Sequence, residues 1–357
     1  MAINSFVFFL FFAVVFLGYY LPPLSRKVGW QNGWLLLASC CFYALADSMM
    51  LLLLIGAIGI VYILGLWTGR LLGQGRERRA SSVTALSVCL GVGLLLYFKY
   101  LGFFADSLSG LLSLAGFQAS WTTLHVVLPV GVSFFTFKLI SYAVEVRCRR
   151  IQPCTNLVDF SLYVSFFPTI MSGPIDRPNT FLLQLMESRR FDYLLAVDGC
   201  RQILWGMFIK MCIADNLTVL VDETWASISG QSASALVLAA LLYTVQIYTD
   251  FDGYSHMAIG IGKVLGIHVT RNFNHPFIAQ STAEVWRRWH MSLMSWFRDY
   301  VYIPLGGSRC VRPKVILNTL IVFALSGLWH GADWSFVLWG VYHGCLVSVY
   351  IPLGIKT

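Results

Sequence analysis

Long apolar runs, separated by short connectors that hold most of the arginines and lysines, constrain this 357-residue chain more than any single motif. A bilayer core about 30 Å thick takes about 20 residues of helix to cross. Lipid offers no partner to backbone N–H and C=O groups, so crossing segments satisfy themselves as helices or closed barrels. Runs at 5–22, 33–46, 49–72, 82–98, 125–146, 157–172, 193–214, 233–249, 254–266, 315–329 and 335–353 read as spans. Stretches 107–117, 173–190 and 281–304 are amphipathic or broken by Pro and Gly, and read as interfacial or re-entrant pieces. Such backbone survives at depth only inside protein or against a wet cavity. The expected fold is therefore an all-α polytopic membrane protein, a helical bundle with short, tilted and re-entrant helices around a funnel. No linker, repeat or low-complexity tract divides it, so residues 1–357 are expected to form a single transmembrane domain.

Composition agrees: 57% of residues are hydrophobic and 12% charged, which argues against a soluble fold. The net charge of +8 sits in connectors rather than along one face, which argues against nucleic acid as a partner. Arg26 and Lys27 follow the first span, Arg70, Arg76, Arg78 and Arg79 the third, and Arg147, Arg149 and Arg150 the fifth; the intervening connectors carry only Lys99. Positive charge marks the cytoplasmic side, so the N-terminus is expected outside. The first apolar run lacks a basic leader and a cleavage site and reads as a retained span. Nine cysteines without a CxxC pair read as small core residues, neither a disulfide framework nor a metal site.

Candidate chemistry concentrates between Ser281 and Gly331. At 100° per residue the first part predicts one amphipathic helix, started by a Ser281/Glu284 capping box and ended near Pro304, with His290 among aromatic rings. Residues 315–329 then form an apolar run too short for a comfortable span, which leaves His330 at depth where the chain breaks. A histidine on an apolar face is commonly a satisfied core residue. Depth favours a functional role, since intramembrane ionisable groups are costly and imidazole titrates near neutrality. His125, His256, His268, His275 and His343, several of them near span ends or turns, read as structural.

Three further groups have two readings each. In the segment from Pro168 to Pro178, Asp176 and Arg177 fall at a helix end, either as a cytosolic turn with a local ion pair or as the mouth for an anionic donor. In the polar island Tyr248–His256, Asp250 and Asp252 would each cost roughly 2.5–3.5 kcal/mol at membrane depth. They form a helix-breaking, hydrogen-bonded junction or line a substrate cavity together with Tyr254; the spacing does not fit an EF-hand calcium loop. Arg287 and Arg288 meet lipid phosphates or the phosphates of a donor. Asn318 is a further candidate for substrate binding. These residues alone leave open an intramembrane enzyme with a histidine general base and a proton-coupled transporter with a His/Asp relay. The latter lacks the paired halves such transporters show.

The runs TDFDGYSHMAIGIGKVLGIHVTRNFNHPF, WRRWHMSLMSWFRDYVYIPLGG and NTLIVFALSGLWHGADWSFVLWGVYHG, with LPVGVSFFTFKLISYAVEV and FFPTIMSGPIDRP upstream, resemble the membrane-bound O-acyltransferase family in its bacterial polysaccharide branch. The resemblance covers about 128–344. It implies a multi-helix fold with a central funnel and acyl transfer from a cytoplasmic thioester, acetyl-CoA or an acyl carrier, with no bound cofactor. It also implies that His330 of the WHG motif is catalytic and that His290 of the RWH motif is its helper. The implied acceptor is an exported polysaccharide or a periplasmic SGNH-type acetyltransferase partner, in the bacterial cytoplasmic membrane; D-alanyl transfer for teichoic acid from a carrier protein is the alternative. Further helices after the WHG segment are implied as well, whereas this sequence ends at Thr357. No cysteine lies within four residues of either histidine, which disfavours an acyl-cysteine route.

Overall fold

The computed structural model describes residues 1–117 and 128–351, and among them the chain is helical without strands. The α-helices are α1 (Phe6–Tyr20), α2 (Val28–Ala44), α3 (Ser48–Gly73), α4 (Glu77–Leu95), α5 (Leu101–Leu114), α6 (Val132–Arg147) and α7 (Leu157–Ser165). They continue with α8 (Pro178–Leu185), α9 (Tyr193–Met207), α10 (Asp215–Ala226), α11 (Ala233–Val264), α12 (Thr282–Arg288), α13 (Met291–Phe297), α14 (Arg312–His330) and α15 (Trp334–Ser348). Among the described residues, five helical stretches are long and apolar enough to cross a bilayer: Ser48–Gly73, Glu77–Leu114, Tyr193–Ala226, Ala233–Val264 and Arg312–His330. The all-α membrane class expected from the apolar runs is the class observed.

Several boundaries differ from those expectations. The run 315–329, expected to be short for a span, lies in α14, whose extent from Arg312 to His330 is long enough to cross, so His330 falls at the end of a spanning-length helix. The runs 82–98 and 107–117 are one stretch, because a π-helical turn at Leu96–Tyr100 carries α4 into α5 and places Lys99 inside the helix rather than in a connector. The runs 233–249 and 254–266 are likewise one helix, α11. The polar island does not break it, since Asp250 pairs with Lys210 at 2.6 Å and His256 approaches Asp252 at 3.6 Å and Gln202 at 3.0 Å. The run 157–172 forms helix only to Ser165, with Pro168 close behind.

The chain forms two compact units, the first of residues 1–51 with 156–272, the second of 52–155 with the described residues from 273 onward. In the first unit, Phe8, Phe42 and Phe167 make an aromatic core beside a buried polar network. Asn32 donates to Asp159 at 2.7 Å and to the Leu185 carbonyl at 2.8 Å, and Arg189 donates to Asn32. Helices α9 and α11 run antiparallel in backbone contact: a Cβ on Gly199 would lie 2.7 Å from the Gly260 carbonyl oxygen, and one on Gly206 2.6 Å from that of Gly253. Small residues allow this approach, which is how membrane helices gain packing without a hydrophobic drive.

In the second unit α14 and α15 meet in the same way through Gly327 and Gly340, where a Cβ would collide with the Phe336 and Phe323 carbonyls. Gly331 ends α14, and a side chain there would enter the Phe336 ring. The close crossing fixes the end of α14 that carries His330.

Candidate active site

The helix that leads to the first histidine starts as its sequence suggests: Ser281 accepts from the Glu284 N–H at 3.1 Å, and Glu284 reaches back to the Gln280 N–H at 2.9 Å. It does not continue to Pro304. Helix α12 stops at Arg288, Trp289 is extended, and His290 adopts φ 42°, ψ 53° before α13 restarts at Met291. A left-handed backbone is uncommon for a side-chain-bearing residue, though histidine is among the types that tolerate it. Trp286 and Trp296, on either side of the break, dock on different elements, which accounts for it. Trp286 packs on Phe323 and Trp339, at 5.3 and 5.6 Å between ring centroids. Trp296 stacks on Phe137 of α6 at 4.0 Å and donates to the Phe137 carbonyl and Ser141 Oγ. The break turns His290 inward, where 1% of its surface is exposed.

His330, the last residue of α14, is exposed. Trp329 lies between the two histidines, its ring 5.6 Å from His290 and 4.8 Å from His330. Phe134 and Phe137 pack on Trp329, and Trp339 packs on His330 at 5.4 Å. The histidines also interact electrostatically. The pair therefore divides into one imidazole that a molecule can reach and one held in the core. A neutral imidazole with an accessible nitrogen suits proton abstraction from a hydroxyl, while a buried one suits orientation.

Other residues singled out in the sequence are placed as follows. Arg288 is committed to Glu284 at 2.7 Å; the Gln280 N–H, with Arg288 next, holds that carboxyl below its ordinary range. Arg287 is exposed. Asn318 donates to the Leu305 and Gly307 carbonyls and so closes the Pro304–Gly307 turn. In the first unit, Asp176 accepts from the Thr270 N–H and hydroxyl, Arg177 occupies the N-terminal boundary position of α8 just before Pro178 without a side-chain capping bond, and Tyr254 donates to the Pro168 carbonyl. Asp250 and Asp252 have the partners given above. His125 lies outside the described residues.

Two residues belong to this neighbourhood that sequence reasoning passed over. Lys99 donates to the carbonyl oxygen of Trp329, lies 5.4 Å from that ring, and acts electrostatically on His330. An isolated lysine in a long apolar run was the available signal. His343 of α15 packs on Trp339 at 4.9 Å and Trp286 at 5.1 Å, extending the cluster. Its signal was the helical hairpin that returns the chain past the WHG segment. Among the described residues no group of His, Cys, Asp and Glu is arranged to hold a metal.

The sequence pattern of the membrane-bound O-acyltransferase family matches residues 150–351. The probable alginate O-acetylase AlgI of Pseudomonas aeruginosa is 39% identical over 100% of this chain and 67% of its own length. The peptidoglycan O-acetyltransferase of Helicobacter pylori is 32% identical over 96% of this chain and 68% of its own. The teichoic acid D-alanyltransferase of Bacillus subtilis is 30% identical over 62% of this chain and 58% of its own. Together with the helical membrane fold and the histidine pair about Trp329, these similarities show that the chain belongs to the membrane-bound O-acyltransferase family.

Proposed function

We propose that this membrane acyltransferase moves an acetyl group from a cytoplasmic thioester, acetyl-CoA or an acyl carrier, to a hydroxyl of an exported polysaccharide or of a periplasmic SGNH-type partner. Membership of an acyltransferase family removes the transporter alternative. The observation that carries the reading is the unequal exposure of the two histidines that flank Trp329. His330, exposed at the end of α14, takes the acceptor proton as the hydroxyl oxygen attacks the thioester carbon, then returns it to the departing thiolate. General-base assistance of this kind is typically worth about 10²–10⁴-fold. His290, buried, holds the Trp329 ring and through it the turn that presents His330. The acetyl group and a polysaccharide acceptor are supported by the relatives named for O-acetylation of alginate and peptidoglycan.

We place the protein in the bacterial cytoplasmic membrane with its N-terminus outside, on the distribution of basic connectors. We assign Arg287, exposed on α12, to donor phosphates. The test is transfer of label from radiolabelled acetyl-CoA in membranes containing the protein. Label appearing in polysaccharide, or in an SGNH-type partner, supports the reading. A second reading, D-alanyl transfer, is favoured by the 30% identity to the teichoic acid enzyme. Transfer from a D-alanylated carrier protein with none from acetyl-CoA would replace the acetyl assignment.

A further inference from the structure

Lys99 lies in the π-helical turn Leu96–Tyr100, within a helical stretch long and apolar enough to cross a bilayer. Charges at such positions are costly and mark functional sites by default. Among the described residues no carboxylate forms an ion pair with it. Its ammonium donates instead to the carbonyl oxygen of Trp329, on the turn that ends in His330. That bond alone does not account for a lysine, because a neutral amide supplies it without taking a charge out of water. An ammonium has three N–H donors, and the carbonyl takes one. Trp329 itself carries a second donor: its buried indole N–H, on a residue only 8% exposed, has no hydrogen-bond partner among the described residues.

Charge balance indicates what these donors serve. A base that takes a proton beside an ammonium places two positive charges together, which is unfavourable unless an anion forms between them. Acyl transfer forms one, the tetrahedral oxyanion, and it exists only in the reacting state. We propose that Lys99 and the Trp329 indole N–H stabilise the oxyanion formed when the acceptor hydroxyl attacks the thioester. This rests on the reading of His330 as base. In the step, the hydroxyl oxygen bonds to the thioester carbon, an imidazole nitrogen of His330 takes the hydroxyl proton, and the carbonyl π pair moves onto oxygen. Collapse re-forms the C=O bond and breaks C–S, and the thiolate takes the proton back from His330 and leaves as thiol. Donors aimed at charge that develops only in the transition state act on kcat rather than on binding.

Three variants separate this role from simple capping of α14. Lys99→Gln keeps a donor for the Trp329 carbonyl and loses the charge, Lys99→Arg keeps the charge, and Trp329→Phe keeps a ring and loses the N–H. In acetyl transfer from acetyl-CoA by membranes with matched amounts of folded protein, Lys99→Gln is expected to lower kcat about 10²–10³-fold with the donor KM little changed. Lys99→Arg should retain most of the activity, and Trp329→Phe should show a smaller loss, again in kcat. Near-normal kcat in Lys99→Gln overturns the proposal, since capping alone then suffices. Should Lys99→Gln fail to accumulate as folded protein, Trp329→Phe carries the decision, and an unchanged kcat there overturns it. His330→Asn is measured in parallel: an active His330→Asn removes the base reading itself, whereas an inactive His330→Asn beside an active Lys99→Gln removes only the oxyanion role.

Discussion

At the scale of single residues, the site is a set of side chains whose roles follow from exposure and backbone shape. His290 sits in the left-handed region, which costs most L-residues roughly 1–2 kcal/mol and is least costly for Gly, Asn and Asp. Asn therefore suits the backbone at this position. His290→Asn is expected to fold and keep measurable transfer, whereas His290→Val, β-branched at a positive φ, should lower thermal stability by roughly 1–3 kcal/mol; detergent-solubilised thermal denaturation checks both. The presence of a buried histidine here was legible from the aromatic residues around it in WRRWHMSLMSWF. Its backbone was not, because that segment has unbroken helical periodicity and neither Gly nor Pro; docking of Trp286 and Trp296 on different elements imposes the turn. Lys99 was misread for a related reason. The local dip in hydropathy suggests a connector, while the partner that explains it, the Trp329 carbonyl, is 230 residues away in sequence.

At the scale of elements, glycine decides which helices come into contact. Gly327 and Gly340 bring α14 and α15 together so closely that any side chain meets backbone, which cannot move aside. Gly327→Val is expected to destabilise by roughly 1–3 kcal/mol, the usual range for overpacking, and to reduce transfer because α14 carries His330. The control is Gly59→Ala in α3, where an added Cβ meets nothing within 4 Å. It should be neutral or stabilising by about 0.5–1 kcal/mol, as expected for Gly to Ala within a helix. Equal losses in the two variants would contradict the packing argument. Helix existence was legible from hydropathy, since length and apolar content alone set it. Continuity was not: the acidic pair in TDFDGYSH looks like a break until Lys210, 40 residues before Asp250 and in the π-helical turn Phe208–Ala214 that follows α9, is seen to pair with Asp250.

At the scale of the whole molecule, the chain is a membrane acyltransferase whose described residues are helical, and the N-out orientation we propose from the basic connectors can be tested directly. On a cysteine-free background, Gln74→Cys should react with an impermeant thiol reagent only from the cytoplasmic side and Ser48→Cys only from outside; both positions are exposed, at opposite ends of α3. The opposite sidedness would reverse the assignment. The family was legible because its motifs lie close together in sequence, in WRRWH and in LWHG. The unequal exposure of the two histidines needed the fold, since it depends on where α12, α14 and α15 cross. The central claim, that His330 is the base for acyl transfer, is tested most directly by steady-state transfer from radiolabelled acetyl-CoA with wild type and His330→Asn at matched folded amounts. Loss of a transition-state role lowers kcat and kcat/KM together while donor binding persists. The expected result is a fall of about 10²–10⁴-fold in both, with acetyl-CoA still bound; a His330→Asn protein turning over at a near-normal rate would contradict it.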